Sequence, residues 1–376
     1  MRNESLQELR RKTARWLVRT AFGRRRHISG TALLPTTGIY RILVCRISHT
    51  LGNTLLLTPL LRELQRVYPG AEIDVLTRSP VAEEIFGRFP RVRRIHRLPS
   101  HSFATPWRLI GVLRALRARH YDLAIDPCLR SQSDRIGVLV AKATWKLGYL
   151  APGKSGALSH GVPRPGDVHH IGQLPVHLLR CAIGRFAGTP YPPLDICLTA
   201  DERAQGAATL ARLAGAEAGS SAPIGLFANA TGAKHLGAEW WQRFAARLAE
   251  RSKDHRIVEI VPVTGSSLLD ERYPAFYSSD LRRLAGVLSG LSLFVSADCG
   301  VMHLACASGV PTVGLFAVTN AQEWGPYGAR DAVVQIGTRT PEQVADALQL
   351  PSAADTAFIR SRTGEEASRS SWSRSR

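Results

Sequence analysis

Apolar positions along this chain alternate between short continuous runs and runs at helical spacing, and the alternation occurs in two successive series. Residues 40–47, YRILVCRI, predict a strand buried on both faces. Residues 54–68 follow at helical period, with Leu56, Leu57, Leu60, Leu61 and Leu64 apolar, and Pro59 inside the pattern predicts an irregular first turn. Extended segments are expected at 72–77 and 92–98, helices at 81–86 and 107–119, and a strand at 123–126 that ends on Asp126. A long helix over 169–186 is broken by Gly188-Thr189-Pro190-Tyr191-Pro192-Pro193, which reads as a linker. The second series then sets helices at 201–213, 239–251 and 280–288 against strands at 223–228 and 256–261.

The most informative stretch is 291–316, LSLFVSADCGVMHLACASGVPTVGLF. An apolar strand runs into Asp298-Cys299-Gly300, a helix of small residues spans 301–308, Gly309-Val310-Pro311 stops it, and a second strand occupies 312–316. A strand that meets a glycine just before a helix leaves unpaired N–H groups and the positive end of a helix dipole at its carboxyl end, which suits a phosphate. Strands alternating with helices at this spacing predict doubly wound parallel α/β sheets, with ligands at strand carboxyl ends and the loop 48–53 and Asp126 on one rim. The expected organisation is a basic segment and linker over 1–39, a Rossmann-like domain over 40–188, a linker over 189–200, a second Rossmann-like domain over 201–351, and a disordered Ser/Arg-rich tail over 352–376.

With 376 residues and 44% apolar composition, two domains are expected on size alone. The six cysteines form no CxxC pair and several sit within predicted elements as small core residues, which fits a reducing compartment. No run of eighteen uncharged apolar residues occurs and no secretory leader is recognisable, so a cytoplasmic protein is expected. The net charge of +19 implies acidic partners. Residues 1–40 carry nine Lys/Arg against Glu4 and Glu8, and Leu6, Leu9, Trp16, Leu17 and Phe22 are interspersed with them. This reads as an amphipathic segment peripheral to an anionic membrane surface, each basic residue contributing roughly 1 kcal/mol, or alternatively as a solvated arm. No nucleic-acid recognition motif or regular series of stacking aromatics accompanies the charge, so no specific nucleic-acid partner is expected.

Three ordered motifs carry a resemblance. ILVCRISHTLGNTLLLTPLLRELQRVYPGAEIDVLT near the N-terminus, Thr231-Gly232-Ala233-Lys234-His235 ahead of Trp241, and VSADCGVMHLACASGVPTVGLF followed by Trp324-Gly325-Pro326-Tyr327-Gly328 together resemble glycosyltransferase family 9, the ADP-heptose:lipopolysaccharide heptosyltransferases. The resemblance covers about residues 40–335. It implies two Rossmann-like domains facing across a cleft (GT-B type), inverting transfer from a nucleotide-sugar such as ADP-heptose, and no obligatory metal or other cofactor. The chain agrees in lacking a DxD pair near a strand end. The implied partners are the nucleotide-sugar and a phosphorylated, lipid-linked saccharide acceptor of the lipopolysaccharide-core type at the inner membrane.

Breaking a sugar–diphosphate bond places negative charge on the departing nucleotide, so fixed donors aimed at it lower the barrier. By resemblance, Lys234 supplies a full charge and Thr231 a hydroxyl to the diphosphate, and the Gly300-Val301 backbone adds the helix-terminal N–H groups. Asp298 sits beside the donor and accepts from sugar hydroxyls, a role compatible with capping helix 301–308. His303 belongs beneath the loop in a structural role, and Cys299 stands where the family commonly has Thr. Glu323 and Trp324 lie where a base or ribose would dock. The family's general base is an aspartate after the loop glycine, and here that residue is Asn53, whose amide cannot take a proton. His49 and Asp126 are the candidate replacements. Asn53 also opens an alternative, a non-catalytic nucleotide-sugar-binding protein of surface-polysaccharide assembly, beside a family member with a different donor. Arg78, Arg88, Arg91, Arg93, Arg94 and Arg97 enrich the expected acceptor side, where guanidinium forks suit phosphates.

Overall fold

The computed structural model describes residues 33–99, 106–152, 154, 157–215, 221–263 and 265–351. The basic segment and the Ser/Arg-rich tail therefore lie outside the described residues. The chain divides into two compact units between Pro192 and Pro193. That point falls within the stretch 189–200.

Each unit is built on a six-stranded, wholly parallel sheet. In the first, β1 (Arg41–Arg46), β2 (Glu72–Thr77), β3 (Val92–Arg97), β4 (His120–Asp126), β5 (Lys142–Leu150) and β6 (His160–Pro163) are ordered β3-β2-β1-β4-β5-β6. In the second, β7 (Ile224–Phe227), β8 (Ile257–Ile260), β9 (Ala275–Phe276), β10 (Leu293–Ala297), β11 (Thr312–Phe316) and β12 (Ala332–Gln335) are ordered β12-β11-β10-β7-β8-β9. Both follow the same doubly wound plan, in which the winding reverses between the first and fourth strands. Connections leaving those two strands diverge to opposite faces and open a crevice at their carboxyl ends. The switch points are β1/β4 and β7/β10. Central strands are apolar throughout because helices cover both sheet faces: Ile42, Leu43, Val44 and Cys45 of β1 are fully buried, as is every residue of β10.

The helical pattern over 54–68 is two helices, α1 (Leu51–Leu55) and α2 (Thr58–Val67). Pro59 lacks the N–H an interior position needs, and it sits in the first turn of α2, where none is required. The helix α1 also takes in Asn53, so the loop expected over 48–53 ends at Thr50. In chain order α3 (Ala82–Phe86), α4 (Pro106–Ala118), α5 (Gln132–Val140) and α6 (Leu174–Ile183) complete the first unit. Pro175 lies in the first turn of α6, which starts five residues later than the expected 169. The second unit has α7 (Ala200–Ala214), α8 (Ala238–Arg251), α9 (Leu281–Ser289), α10 (Gly300–Ser308), α11 (Ala321–Trp324) and α12 (Pro341–Asp346). Its core is anchored by Trp241 and Phe244 of α8, fully buried and edge-to-face at 5.6 Å, against Ile224, Leu226 and Val295 of the sheet.

Helices α7 and α9 cross at close range through a pair of glycines. A Cβ at Gly206 would lie 2.0 Å from the Gly286 carbonyl oxygen, and one at Gly286 would lie 2.5 Å from that of Glu202. Beside this crossing, Arg282 of α9 binds Glu202 of α7 as a fork, Nε to Oε1 at 2.5 Å and Nη2 to Oε2 at 2.6 Å. The same guanidinium donates to the carbonyls of Ile196 and Cys197. Glu202 in addition closes a capping box with Thr199, and these partners, Arg282 first, hold its carboxyl down to about 2.

Two outcomes follow from this crossing. Gly206→Ala must push the helices apart and is expected to lower unfolding free energy by about 3 kcal/mol, at the upper end of overpacking costs; denaturant melts compare the variant with wild type. The contribution of Glu202 is present above its ordinary value of 4.5 and is lost as pH falls toward about 2. In Glu202→Gln the denaturation midpoint should therefore be lower at neutral pH and fall less across that acidic window.

Candidate active site

At the switch point of the second unit, β7 leads into a short 3-10 turn, Gly232–Lys234, and β10 leads into Asp298. The two loops meet in an ion pair: Lys234 Nζ lies 2.6 Å from Asp298 Oδ2, the carboxylate being 5% exposed and the lysine 33%. Thr319, which follows β11, donates its hydroxyl to the same oxygen at 2.5 Å. The Asp298 N–H is itself fixed on the Leu315 carbonyl at 3.2 Å. One of the three ammonium N–H donors is thus occupied while the others are not bound to any described residue.

Helix α10 begins at Gly300, one residue before the expected 301, and its N-cap position is Cys299. Asp298 is therefore not the cap: its carboxylate is spent on Lys234 and Thr319. Cys299 makes no capping hydrogen bond from its side chain; its thiol lies 3.2 Å from the Ser296 hydroxyl, and burial pushes it above its ordinary value. Gly300 and Val301 form the half-exposed first turn. His303 is buried within the helix, and Gly309 ends it at φ +85°, a conformation that favours glycine. Thr231 is exposed just ahead of the 3-10 turn. Glu323 and Trp324 lie half-buried on α11, whose N-cap Asn320 accepts from the Gln322 N–H.

At the β1/β4 switch point the rim carries a buried polar cluster. Asp126 ends β4 with no exposed surface, and its Oδ2 is shared by Arg135 Nε at 2.7 Å and Lys154 Nζ at 2.5 Å. Its Oδ1 accepts from the Cys128 N–H. Arg135 extends to the Tyr149 carbonyl at 2.7 Å, and Lys154 donates to that of Cys128. Asp126 lies on the expected rim but is not placed as a base: both oxygens are engaged by buried donors, and proton uptake would strip two cations of their counter-ion.

Asn53 is also committed. Its Oδ1 accepts from Arg46 Nη2 at 2.6 Å and its Nδ2 donates to Thr50 Oγ1 at 2.8 Å. Arg46 in turn contacts Cys128 Sγ at 3.0 Å and Asp134 Oδ2 at 3.5 Å, while Asp134 Oδ1 accepts the Ile47 N–H. His49 stands exposed between Ser48 and Thr50, with no side-chain hydrogen bond among the described residues. Of the three residues considered for proton transfer, His49 is the accessible titratable one. Sequence reasoning missed Arg46, Asp134, Arg135, Lys154 and Thr319. An arginine at the end of a buried strand was the signal for Arg46, whereas Thr319 has no distinguishing local pattern.

The comparisons bear on both units. Residues 278–350, which hold β10, the α10 terminus and Thr319, match the profile of glycosyltransferase family 9 (heptosyltransferase). The resemblance to glycosyltransferase family 9 is borne out over that segment. Lipopolysaccharide heptosyltransferase 1 of Pseudomonas aeruginosa is 27% identical over 324 residues, covering 80% of this chain and 84% of that protein. Among solved structures, a family 9 glycosyl transferase from Veillonella parvula superposes with a TM-score of 0.66 at 18% identity, over 81% of this chain and 87% of that one. The E. coli heptosyltransferase WaaC with ADP superposes with a TM-score of 0.62 at 20% identity, over 82% and 97%. The fold is that of these solved heptosyltransferases, and the profile match together with the Pseudomonas relative marks the chain as a transferase enzyme.

In this enzyme the role of Asp126 is separable from catalysis by stability. Asp126→Ala leaves Arg135 and Lys154 buried without a counter-ion and is expected to cost about 3–5 kcal/mol of unfolding free energy. A variant with wild-type stability and no turnover would instead make Asp126 a catalytic group.

Proposed function

We propose that this enzyme transfers heptose from ADP-heptose, with inversion, to a phosphorylated saccharide of the lipopolysaccharide-core type, working peripherally on the cytoplasmic face of the inner membrane. The observation that carries the donor assignment is the Lys234–Asp298–Thr319 constellation at the β7/β10 switch point beside the start of α10. An ammonium and helix-terminal N–H groups suit a diphosphate, and a carboxylate held beside them suits sugar hydroxyls. Thr231 adds an exposed hydroxyl ahead of Lys234. The name of the Pseudomonas relative supports the sugar and the acceptor class. So does the likeness in fold to E. coli WaaC with ADP-2-deoxy-2-fluoro heptose, at a TM-score of 0.59 and 19% identity over 86% of this chain and 99% of that one.

In a single displacement the acceptor oxygen attacks the anomeric carbon, the bond from that carbon to the diphosphate oxygen breaks, and ADP departs with the electron pair. Lys234 and the Gly300 and Val301 amides meet the charge that develops on the diphosphate. No resident metal or other cofactor is needed for that step. The acceptor proton passes to His49, an exposed imidazole whose position after β1 puts it on the rim. Asn53 orients the rim through Arg46 and Thr50 and takes no proton. Its committed amide favours one second reading, a nucleotide-sugar-binding protein without turnover.

Calorimetric binding of ADP-heptose beside ADP, GDP and UDP-sugars, followed by product detection with a truncated core acceptor, tests this assignment. Selective ADP-heptose binding with transfer is expected; binding without transfer would favour the second reading, and no binding of ADP-sugars would remove the donor assignment. Lys234→Ala should weaken donor binding at least about tenfold, in line with the loss of a charge-assisted contact. His49→Gln should lower kcat by about a hundredfold or more, leaving donor affinity intact.

A further inference from the structure

Helix α4 (Pro106–Ala118, PWRLIGVLRALRA) divides into two unlike faces. Leu116 is fully buried, and Leu109 and Val112 pack partly against the core formed by Leu43, Cys45, Leu76 and Val138. The opposite face carries Trp107, Ile110, Arg114 and Arg117, spaced three, four and three residues apart and so aligned along one stripe, with Arg108 at its flank. Trp107 is 69% exposed and Ile110 48%, two of the large apolar side chains that the described part of the first unit leaves in water. No acidic residue occurs anywhere in the helix, and none of its three arginines forms an ion pair among the described residues.

A solvated helix face ordinarily mixes both signs of charge and exposes little large apolar surface. Here a tryptophan and an isoleucine stand among unpaired guanidinium groups. Trp is favoured at the headgroup level of a bilayer, Ile in the adjoining acyl boundary, and arginines against lipid phosphates. An aliphatic side chain offers nothing for a nucleic-acid base to stack on, and the uniform positive charge selects an anionic partner.

We infer that the outer face of α4 docks on an anionic lipid bilayer, with Trp107 and Ile110 entering the interface and Arg108, Arg114 and Arg117 meeting the headgroup phosphates. The docking deepens the proposed function, on which it rests for its purpose, by holding the acceptor-side unit at the surface where a lipid-linked acceptor resides. This face is distinct from every residue assigned to the donor or to proton transfer.

The test uses the full chain with vesicles of phosphatidylcholine alone and of equal parts phosphatidylcholine and phosphatidylglycerol, followed by hydrogen exchange of the peptide 106–118. Protection of that peptide on the mixed vesicles and not on phosphatidylcholine alone is expected. Arg108→Gln/Arg114→Gln/Arg117→Gln should weaken vesicle binding by about 100-fold at low salt, from the loss of three surface cations. Trp107→Ser/Ile110→Ser should weaken binding about tenfold and abolish the protection. Both variants should retain wild-type melting and ADP-heptose affinity, so a failed donor assignment and a failed docking surface give different results. Vesicle binding by wild type without protection of 106–118, or undiminished binding by both variants, would overturn the inference. Protection caused equally by a soluble acidic protein or by DNA would also overturn it in favour of a general polyanion surface.

Discussion

A parallel sheet wound in both directions has one place where its chain connections part, and in this protein both sheets are arranged around that constraint. The strand order is the same in each unit, so β1 and β4 in the first and β7 and β10 in the second stand side by side with their following loops free to diverge. Everything chemically distinctive grows from those four strand ends. Lys234 and Asp298 reach each other because β7 and β10 are neighbours. Asp126 and Arg46 share a rim because β1 and β4 are.

The two rims use charge differently. In the second unit the charged pair is partly open, a lysine one-third exposed on a carboxylate steadied by Thr319, beside helix N–H groups with no side-chain cap. Such an arrangement can exchange internal partners for ligand oxygens at modest cost. In the first unit the ion pairs around Asp126 are closed, satisfied by buried donors and tied to the backbone of Cys128 and Tyr149. Breaking them costs far more than they contribute relative to a neutral packing, which makes them fixtures of the loop geometry.

The central strands and the βαβ unit around Asp298 were legible in the sequence because complete burial leaves only apolar residues to read, as in ILVC of β1 and LFVSA of β10. Strand β5, KATWKLGYL, was not, since its first half is only partly covered and lysines interrupt the run. Strand β9 is two residues long and has no pattern to detect. Helix α5 begins with polar residues whose role, a Ser131 cap and the buried Asp134 and Arg135, depends on partners far away in the chain. At the candidate site, Lys234, Asp298 and the α10 start could be named from motifs. That Lys234 and Asp298 pair with one another could not, because sixty-three intervening residues hide the adjacency of β7 and β10. For the same reason Asp126 read as an open carboxylate on a rim, when both its oxygens are engaged by Arg135, Lys154 and the Cys128 N–H.

Cys128 gathers the first rim into one network, its thiol on Arg46, its N–H on Asp126 and its carbonyl on Lys154. Within that network, among the described residues, the carboxylates that pair with the guanidinium of Arg46, the guanidinium of Arg135 and the ammonium of Lys154 are those of Asp126 and Asp134. An aspartate in place of Asn53 would have balanced the set. With an amide there, three cations share two carboxylates among the described residues. At position 53 an amide thus accepts from Arg46 and donates to Thr50, where an ionised carboxylate could only accept.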